Sequence, residues 1–181
     1  MKLLKDILYK VGLVDVIGST NLAITSICFD SRNVEKDSLF VAMRGTQIDG
    51  HKFIAQVIEN GAIVVVCEEI PENMHEKITY VKVKNTDEAL GIISSNFYDN
   101  PSLRIKLIGI TGTNGKTTIA TLLYNLFRAF GYGVGLISTV RIKINNEEIA
   151  ATHTTPDALT LNKIFFEMLE KGCKYCFMEV S

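Results

Sequence analysis

Gly109-Ile110-Thr111-Gly112-Thr113-Asn114-Gly115-Lys116-Thr117-Thr118 is the stretch on which the reading of this chain turns. It lies between an apolar run, residues 103–110, that reads as a strand and a segment, 116–130, that reads as a helix with Ile119, Leu122, Leu123, Leu126, Phe127 and Phe130 on one face. Glycines in such a loop let successive amide N–H groups point inward at phosphate oxygens, and the helix that follows adds its positive end. In that arrangement Lys116 reaches the β and γ phosphates of a nucleoside triphosphate, and the hydroxyl of Thr117 ligates Mg2+. The strict pattern wants glycine five residues before Gly115, where this chain has Ile110, and its glycines fall at 109 and 112 instead. The strand before and the helix after carry the assignment more than the spelling does.

Working outward, residues 134–138 read as a second strand, and 140–144, Asn145-Asn146 and 147–150 as a hairpin, since an Asn-Asn turn tolerates positive φ. Thr155-Pro156 opens a helix with Leu161, Ile164, Phe165, Met168 and Leu169 inward, Gly172 ends it, and 174–180 is a strand. Strand, helix, strand, helix, strand in this order predicts a parallel α/β sheet. On the amino-terminal side, 3–11 reads as a helix ended by Gly12, and 24–29 and 38–43 as strands. A helix with Phe53, Ile54, Val57 and Ile58 inward closes at Gly61, 62–67 is a buried strand, and 78–83 is a further strand. Thr86 caps a helix striped by Ala89, Leu90, Ile93 and Phe97. The polar break Asp99-Asn100-Pro101-Ser102 divides the chain into a small α/β domain, residues 1–99, and the first part of a P-loop parallel-sheet domain, residues 100–181.

Composition removes several function classes. Of 181 residues 47% are hydrophobic, and 19 basic side chains balance 20 acidic ones, leaving a net charge of -1. No basic footprint for nucleic acid or an anionic membrane follows from that balance, so a bound anion has to be met locally. No secretory signal is expected at the amino terminus, and the longest apolar stretch, 62–67, is too short to insert in a membrane. The four cysteines, at 28, 67, 173 and 176, sit in apolar segments, which points to a reducing cytoplasm. Cys173 and Cys176 have redox or zinc spacing, yet they enter an apolar strand and read as structural. His51, His75 and His153 are too scattered for a metal cluster, although His153 could line a cleft beside Thr154.

The segment 112–118 resembles the ATP loop of the Mur ligases, the ATP-dependent enzymes that add amino acids to the cell-wall precursor; folylpolyglutamate synthase has a similar loop. Other segments favour the Mur ligases. Asp30-Ser31-Arg32, residues 37–42, Gly45 and Asp49-Gly50-His51 are similar to the uridine-nucleotide domain of the tripeptide-forming branch, and His153-Thr154-Thr155-Pro156 and Met178-Glu179-Val180-Ser181 to its central domain. The resemblance implies that ATP activates the D-glutamyl carboxylate of UDP-N-acetylmuramoyl-L-alanyl-D-glutamate as an acyl phosphate, which the amine of diaminopimelate or lysine attacks. It implies that Gly112, Thr113, Asn114, Gly115, Lys116, Thr117 and Thr118 bind ATP, with Lys116 catalytic, and that Thr117 and Glu179 hold Mg2+. Ser31, Thr154, Thr155 and Ser181 would contact the uridine-linked substrate, with Asp49 and Gln47 weaker candidates for uridine. The residues alone leave other readings open: Ser31 as a turn residue, Thr155 as a helix cap, Glu179 as a solvated strand tip, and the chain as a P-loop module that binds nucleotide without ligating. The resemblance further implies that the chain is an incomplete part of the enzyme, inactive alone, and a sheet that ends with its third parallel strand predicts an exposed apolar face and an unpaired strand edge near Val180.

Overall fold

In the computed structural model, which describes residues 1–45, 48–150 and 156–180, the chain divides into two units, Met1–Phe97 and Tyr98–Ser181. The first is organised around the run of apolar residues in β6 (Ala62–Cys67), where Val64, Val65 and Val66 are fully buried. A strand buried on both faces needs no alternation, which is why this one reads cleanly from sequence. In chain order the unit contains β1 (Lys2–Leu3), α1 (Leu4–Ile7), β2 (Leu13–Ile17), β3 (Ala23–Ile24), β4 (Ile27–Cys28), β5 (Ser38–Val41), α2 (Ile54–Glu59), β6, β7 (Thr79–Val83) and α3 (Thr86–Phe97). Strands β4, β5, β6 and β7 are parallel neighbours, β2 adds antiparallel to β7, and β1 and β3 form a separate antiparallel pair. Phe40, Val65, Cys67 and Tyr80 of the sheet pack with Ile54 and Val57 of α2.

Several expectations are corrected here. The helix expected over 3–11 is a single turn, because the buried side-chain amide of Asn96 donates to the carbonyls of Ile7 (2.9 Å) and Tyr9 (2.6 Å) and Lys10 turns away at φ +61°. Leu4, Ile7, Leu8 and Val11 are nevertheless all buried. The expected strand 24–29 is broken into β3 and β4, and β2, a largely exposed edge strand, was not expected at all. Asn85, not Thr86, caps α3 by accepting the Glu88 N–H at 3.0 Å.

The second unit contains α4 (Pro101–Arg104), β8 (Lys106–Ile110), α5 (Lys116–Ala129), β9 (Val134–Ile137), β10 (Arg141–Ile144), β11 (Glu147–Ala150), α6 (Ala158–Glu170) and β12 (Tyr175–Glu179). Its sheet order is β11-β10-β9-β12-β8, with β9, β12 and β8 parallel and the β10–β11 hairpin antiparallel. Alternate residues of each strand face opposite sides. Leu136 and Phe177 pack with Ala120 and Tyr124 of α5, whereas Ile137, Cys176 and Met178 pack with Ile164, Phe165 and Met168 of α6. Asp157 caps α6 by accepting the Thr160 N–H at 2.9 Å, so the helix starts later than Thr155-Pro156. A short helix, α4, takes the place of the first residues of the expected strand 103–110. The close passage of Gly133 under Gly172 explains that glycine: a Cβ on it would stand 2.3 Å from the Gly172 carbonyl oxygen.

Two further corrections concern surfaces. Since β12 lies between β9 and β8, the edge strands of this sheet among the described residues are β8 and β11, not the strand near Val180, whose amide donates to the Ile110 carbonyl at 2.9 Å. The apolar residues of α5 do not form one buried face. Ile119, Leu122, Leu126 and Phe130 are exposed, while Leu123 and Phe127 pack towards the sheet. All four cysteines are free and buried, and burial pushes the Cys28 and Cys67 thiols up to about 11 and those of Cys173 and Cys176 upward as well. They stay protonated, as structural cysteines do.

Candidate nucleotide and substrate sites

Ile110 ends β8 and points into the core with Ala120, Tyr124 and Phe177, which accounts for a large residue where the strict loop pattern has glycine. The turn then relies on the glycines that follow: Gly112 has φ +147° and Gly115 φ +80°, the left-handed conformation at the cap of α5. No side chain caps α5, so its first-turn amides are open to an anion. The Lys116 ammonium bends back to the Gly112 carbonyl at 2.8 Å across the loop. Thr113, Asn114 and Thr118 are exposed around it.

One residue further into α5, the Thr117 hydroxyl donates to Oε2 of Glu179 at 2.8 Å. Glu179 is the last residue of β12, paired in register with Ile110, and is only 6% exposed, so it is not a solvated tip. The same carboxylate oxygen lies 3.3 Å from the Thr139 N–H and 3.4 Å from its hydroxyl. Thr139, just beyond β9, is a member of this cluster that the sequence does not announce. No basic side chain among the described residues forms an ion pair with Glu179. A buried carboxylate and a hydroxyl beside a phosphate loop are hard oxygen donors of the kind Mg2+ takes together with phosphate and water, so the residues fit that ion. Among the described residues no group of three His, Cys, Asp or Glu offers another metal site.

In the first unit the carboxyl ends of the parallel strands collect a second set of polar residues, the position where open α/β sheets bind ligands. Ser31 begins a single 3-10 turn, Ser31–Asn33, after β4. Asp30 caps that turn by accepting the Arg32 N–H at 3.0 Å, and the Arg32 guanidinium grips the same carboxylate at 2.6 to 3.1 Å. Those bonds, side chain first and backbone second, hold the Asp30 carboxyl down to about 2. Beyond β5 the chain doubles back: Gly50 N–H donates to the Met43 carbonyl at 2.8 Å, and the backbones of Arg44 and Asp49 pair as an isolated antiparallel bridge. Asp49 caps the next turn through the His51 N–H at 3.0 Å, a bond that, with the ring contact of His51, lowers its carboxyl.

The structure thus brings Thr117 and Glu179 together in the second unit, with the Lys116 ammonium on the Gly112 carbonyl, and sets Ser31 and Asp49 on the rim of the first. Gln47, His153, Thr154, Thr155 and Ser181 lie outside the described residues. No helix among the described residues is long and apolar enough to cross a membrane.

Residues 23–98 match the Mur ligase family, catalytic domain, and residues 110–181 the Mur ligase middle domain. UDP-N-acetylmuramoyl-L-alanyl-D-glutamate--2,6-diaminopimelate ligase of Cytophaga hutchinsonii is 57% identical over 179 residues, which are 98% of this chain and 37% of that protein. A solved UDP-N-acetylmuramoyl-L-alanyl-D-glutamate--2,6-diaminopimelate ligase superposes with a TM-score of 0.74 at 22% identity, over 93% of this chain and 34% of its own. MurF ligase from Thermotoga maritima in complex with ADP does so with a TM-score of 0.58 at 23% identity, over 85% of this chain and 31% of its own. These two structures share the fold. The chain spans about 37% of the length of the curated relative it matches.

Proposed function

Because the chain belongs to the Mur ligase family, we propose that it is the uridine-substrate and nucleotide-binding part of a cytoplasmic ligase that joins 2,6-diaminopimelate to UDP-N-acetylmuramoyl-L-alanyl-D-glutamate at the expense of ATP, in peptidoglycan precursor synthesis. Residues 1–99 take the uridine-linked substrate and 100–181 take ATP. The observation that carries the reading is the meeting of Thr117 and Glu179 at the mouth of the loop, 2.8 Å apart, in a chain 57% identical to a ligase of that name.

The chemistry asked of these residues is positioning and charge neutralisation. The open amides of the 112–118 loop and of the first turn of α5 donate to phosphate oxygens, and Lys116 leaves the Gly112 carbonyl to lie against the β and γ phosphates. Thr117 and Glu179 would hold Mg2+, which when bound neutralises charge on the phosphates. The D-glutamyl carboxylate oxygen then takes the γ-phosphoryl group with ADP as leaving group. The amine attacks the resulting acyl carbon, forms the amide, loses a proton and expels inorganic phosphate. Ser31 and, from the segments outside the described residues, Thr154, Thr155 and Ser181 orient the substrate with neutral hydroxyls, which add no charge to compete with the metal. No residue of this chain is assigned to the diamino acid.

Calorimetry on the 181-residue chain tests the proposal. The expected result is binding of UDP-N-acetylmuramoyl-L-alanyl-D-glutamate and of magnesium ATP, with Lys116→Ala abolishing only the second. A folded chain that binds ATP but no uridine-linked dipeptide would instead be a nucleotide-binding module without ligase chemistry.

A further inference from the structure

His51 has no role in the chemistry above, yet its ring sits at the centre of the polar network on the rim of the first unit. Its side chain is only 13% exposed. Nδ1 lies 2.7 Å from Asp49 Oδ1, and Nε2 accepts the backbone N–H of Glu68, the residue after β6, at 2.9 Å. An acceptor at Nε2 carries no proton, so the ring proton is on Nδ1 and is donated to Asp49. Glu68 continues the chain of contacts: its carboxylate accepts the Thr86 N–H and hydroxyl at 3.0 Å each, at the start of α3, and pairs with Arg44 at 3.2 Å. Arg44 also pairs with Glu69, and the Arg44 and Asp49 backbones form an isolated antiparallel bridge. The imidazole therefore ties the Asp49–His51 turn to the end of β6, and the Glu68 carboxylate ties that end to the start of α3.

We propose that His51 is a positioning residue for the uridine-linked substrate. It does not touch the ligand; it locks the Asp49–His51 turn to the end of β6 and so presets Asp49 on the rim. The inference rests on the assignment of the uridine-linked substrate to residues 1–99. Preorganisation of this kind raises affinity by removing the ordering that binding would otherwise have to supply. The ring does this through a donor and an acceptor at once, and glutamine is the substitution that keeps one of each, while leucine keeps neither.

The test uses the 181-residue chain with UDP-N-acetylmuramoyl-L-alanyl-D-glutamate as the probe, and reads calorimetric affinity together with the ring nitrogen resonances of His51. Wild type should bind and show the proton on Nδ1. His51→Leu should weaken binding about tenfold, the scale of the ordering that binding must then supply. His51→Gln should recover most of that loss, and magnesium ATP affinity should stay within error in both variants. If wild type does not bind the probe, the substrate assignment falls and the proposal with it. If wild type binds and His51→Leu binds equally well, or loses both ligands alike, or the ring proton is on Nε2, the assignment stands and the positioning role is overturned.

Discussion

Replacing Glu179 with glutamine should move two measurements in opposite directions. The carboxylate is 6% exposed and lacks a basic partner among the described residues, so the metal-free fold holds a charge whose desolvation costs several kcal/mol. Against that stand one good hydrogen bond, from Thr117 at 2.8 Å, and two long ones from Thr139 at 3.3 and 3.4 Å. A bond to a charged group contributes roughly 1.5 to 3 kcal/mol and a neutral one about 1, so the glutamine forfeits about 2 kcal/mol in bonding. Removal of the buried charge returns more than this, and Glu179→Gln should be as stable as wild type or more so, by up to about 2 kcal/mol. For a chain of this size that is a rise in melting temperature of roughly 4 to 8 °C in the presence of a chelator. The same change removes the only carboxylate of the proposed magnesium pair, so the added thermal protection that Mg2+ gives in the presence of ATP should disappear. Scanning calorimetry with chelator, with ATP alone and with magnesium ATP reads both effects. A variant that melts several degrees lower with chelator, or one that keeps the full magnesium effect, would refute the assignment of Glu179 as a functional rather than structural carboxylate.

Ser31→Ala should weaken the uridine-linked dipeptide in calorimetry and leave ATP affinity within error; equal weakening of both would remove the division between the units. The Asp30 carboxyl, held down by Arg32, should titrate near 2 by NMR and move up in Arg32→Ala. Its folded value is depressed, so the stability it adds is present above the unfolded value near about 4 and is lost as pH falls towards 2; the pair is exposed, so the effect on melting is small. Asn145 sits at φ +54°, accepts the Val134 N–H at 3.1 Å and donates to the Lys171 carbonyl at 2.8 Å. Asn145→Ala should cost roughly 3 kcal/mol in denaturant melts and Asn145→Gly about 1 kcal/mol less, because glycine avoids the left-handed penalty.

What the sequence discloses depends on whether a residue's role is local. The phosphate loop is legible because its glycines, lysine and threonine act within ten residues of one another. The hairpin at Asn145-Asn146 is legible because its turn is set by two residues, one of which has the positive φ expected. β2 is not, since an exposed edge strand of five residues carries little alternation and Asp15 interrupts it. The short α1 is not, because it is ended by Asn96, some ninety residues away in the chain. Thr139 and His51 fail for the same reason: each acts on a residue at the end of another strand, Glu179 in β12 or Glu68 just after β6, and strand order is not written in hydrophobic periodicity.

Sheet order also decides how the two halves of the phosphate site are supported. Glu179 ends the interior strand β12, paired on both sides, and Thr139 follows the central strand β9, paired with β12 and β10. The loop 111–115 instead hangs from β8, paired on one side only among the described residues, with Leu107 39% exposed. Over the loop helix, Ile119, Leu122, Leu126 and Phe130 form an apolar stripe in solvent. The periodicity of α5 cannot distinguish that stripe from the half that packs, because Ala120 and Tyr124, neither of them strongly apolar, hold the centre of the contact with the sheet. An open edge and an apolar stripe both favour association. Association through either would bear on Lys116 and the amides of α5, while the Glu179 and Thr139 carboxylate geometry, fixed by interior strands, would persist.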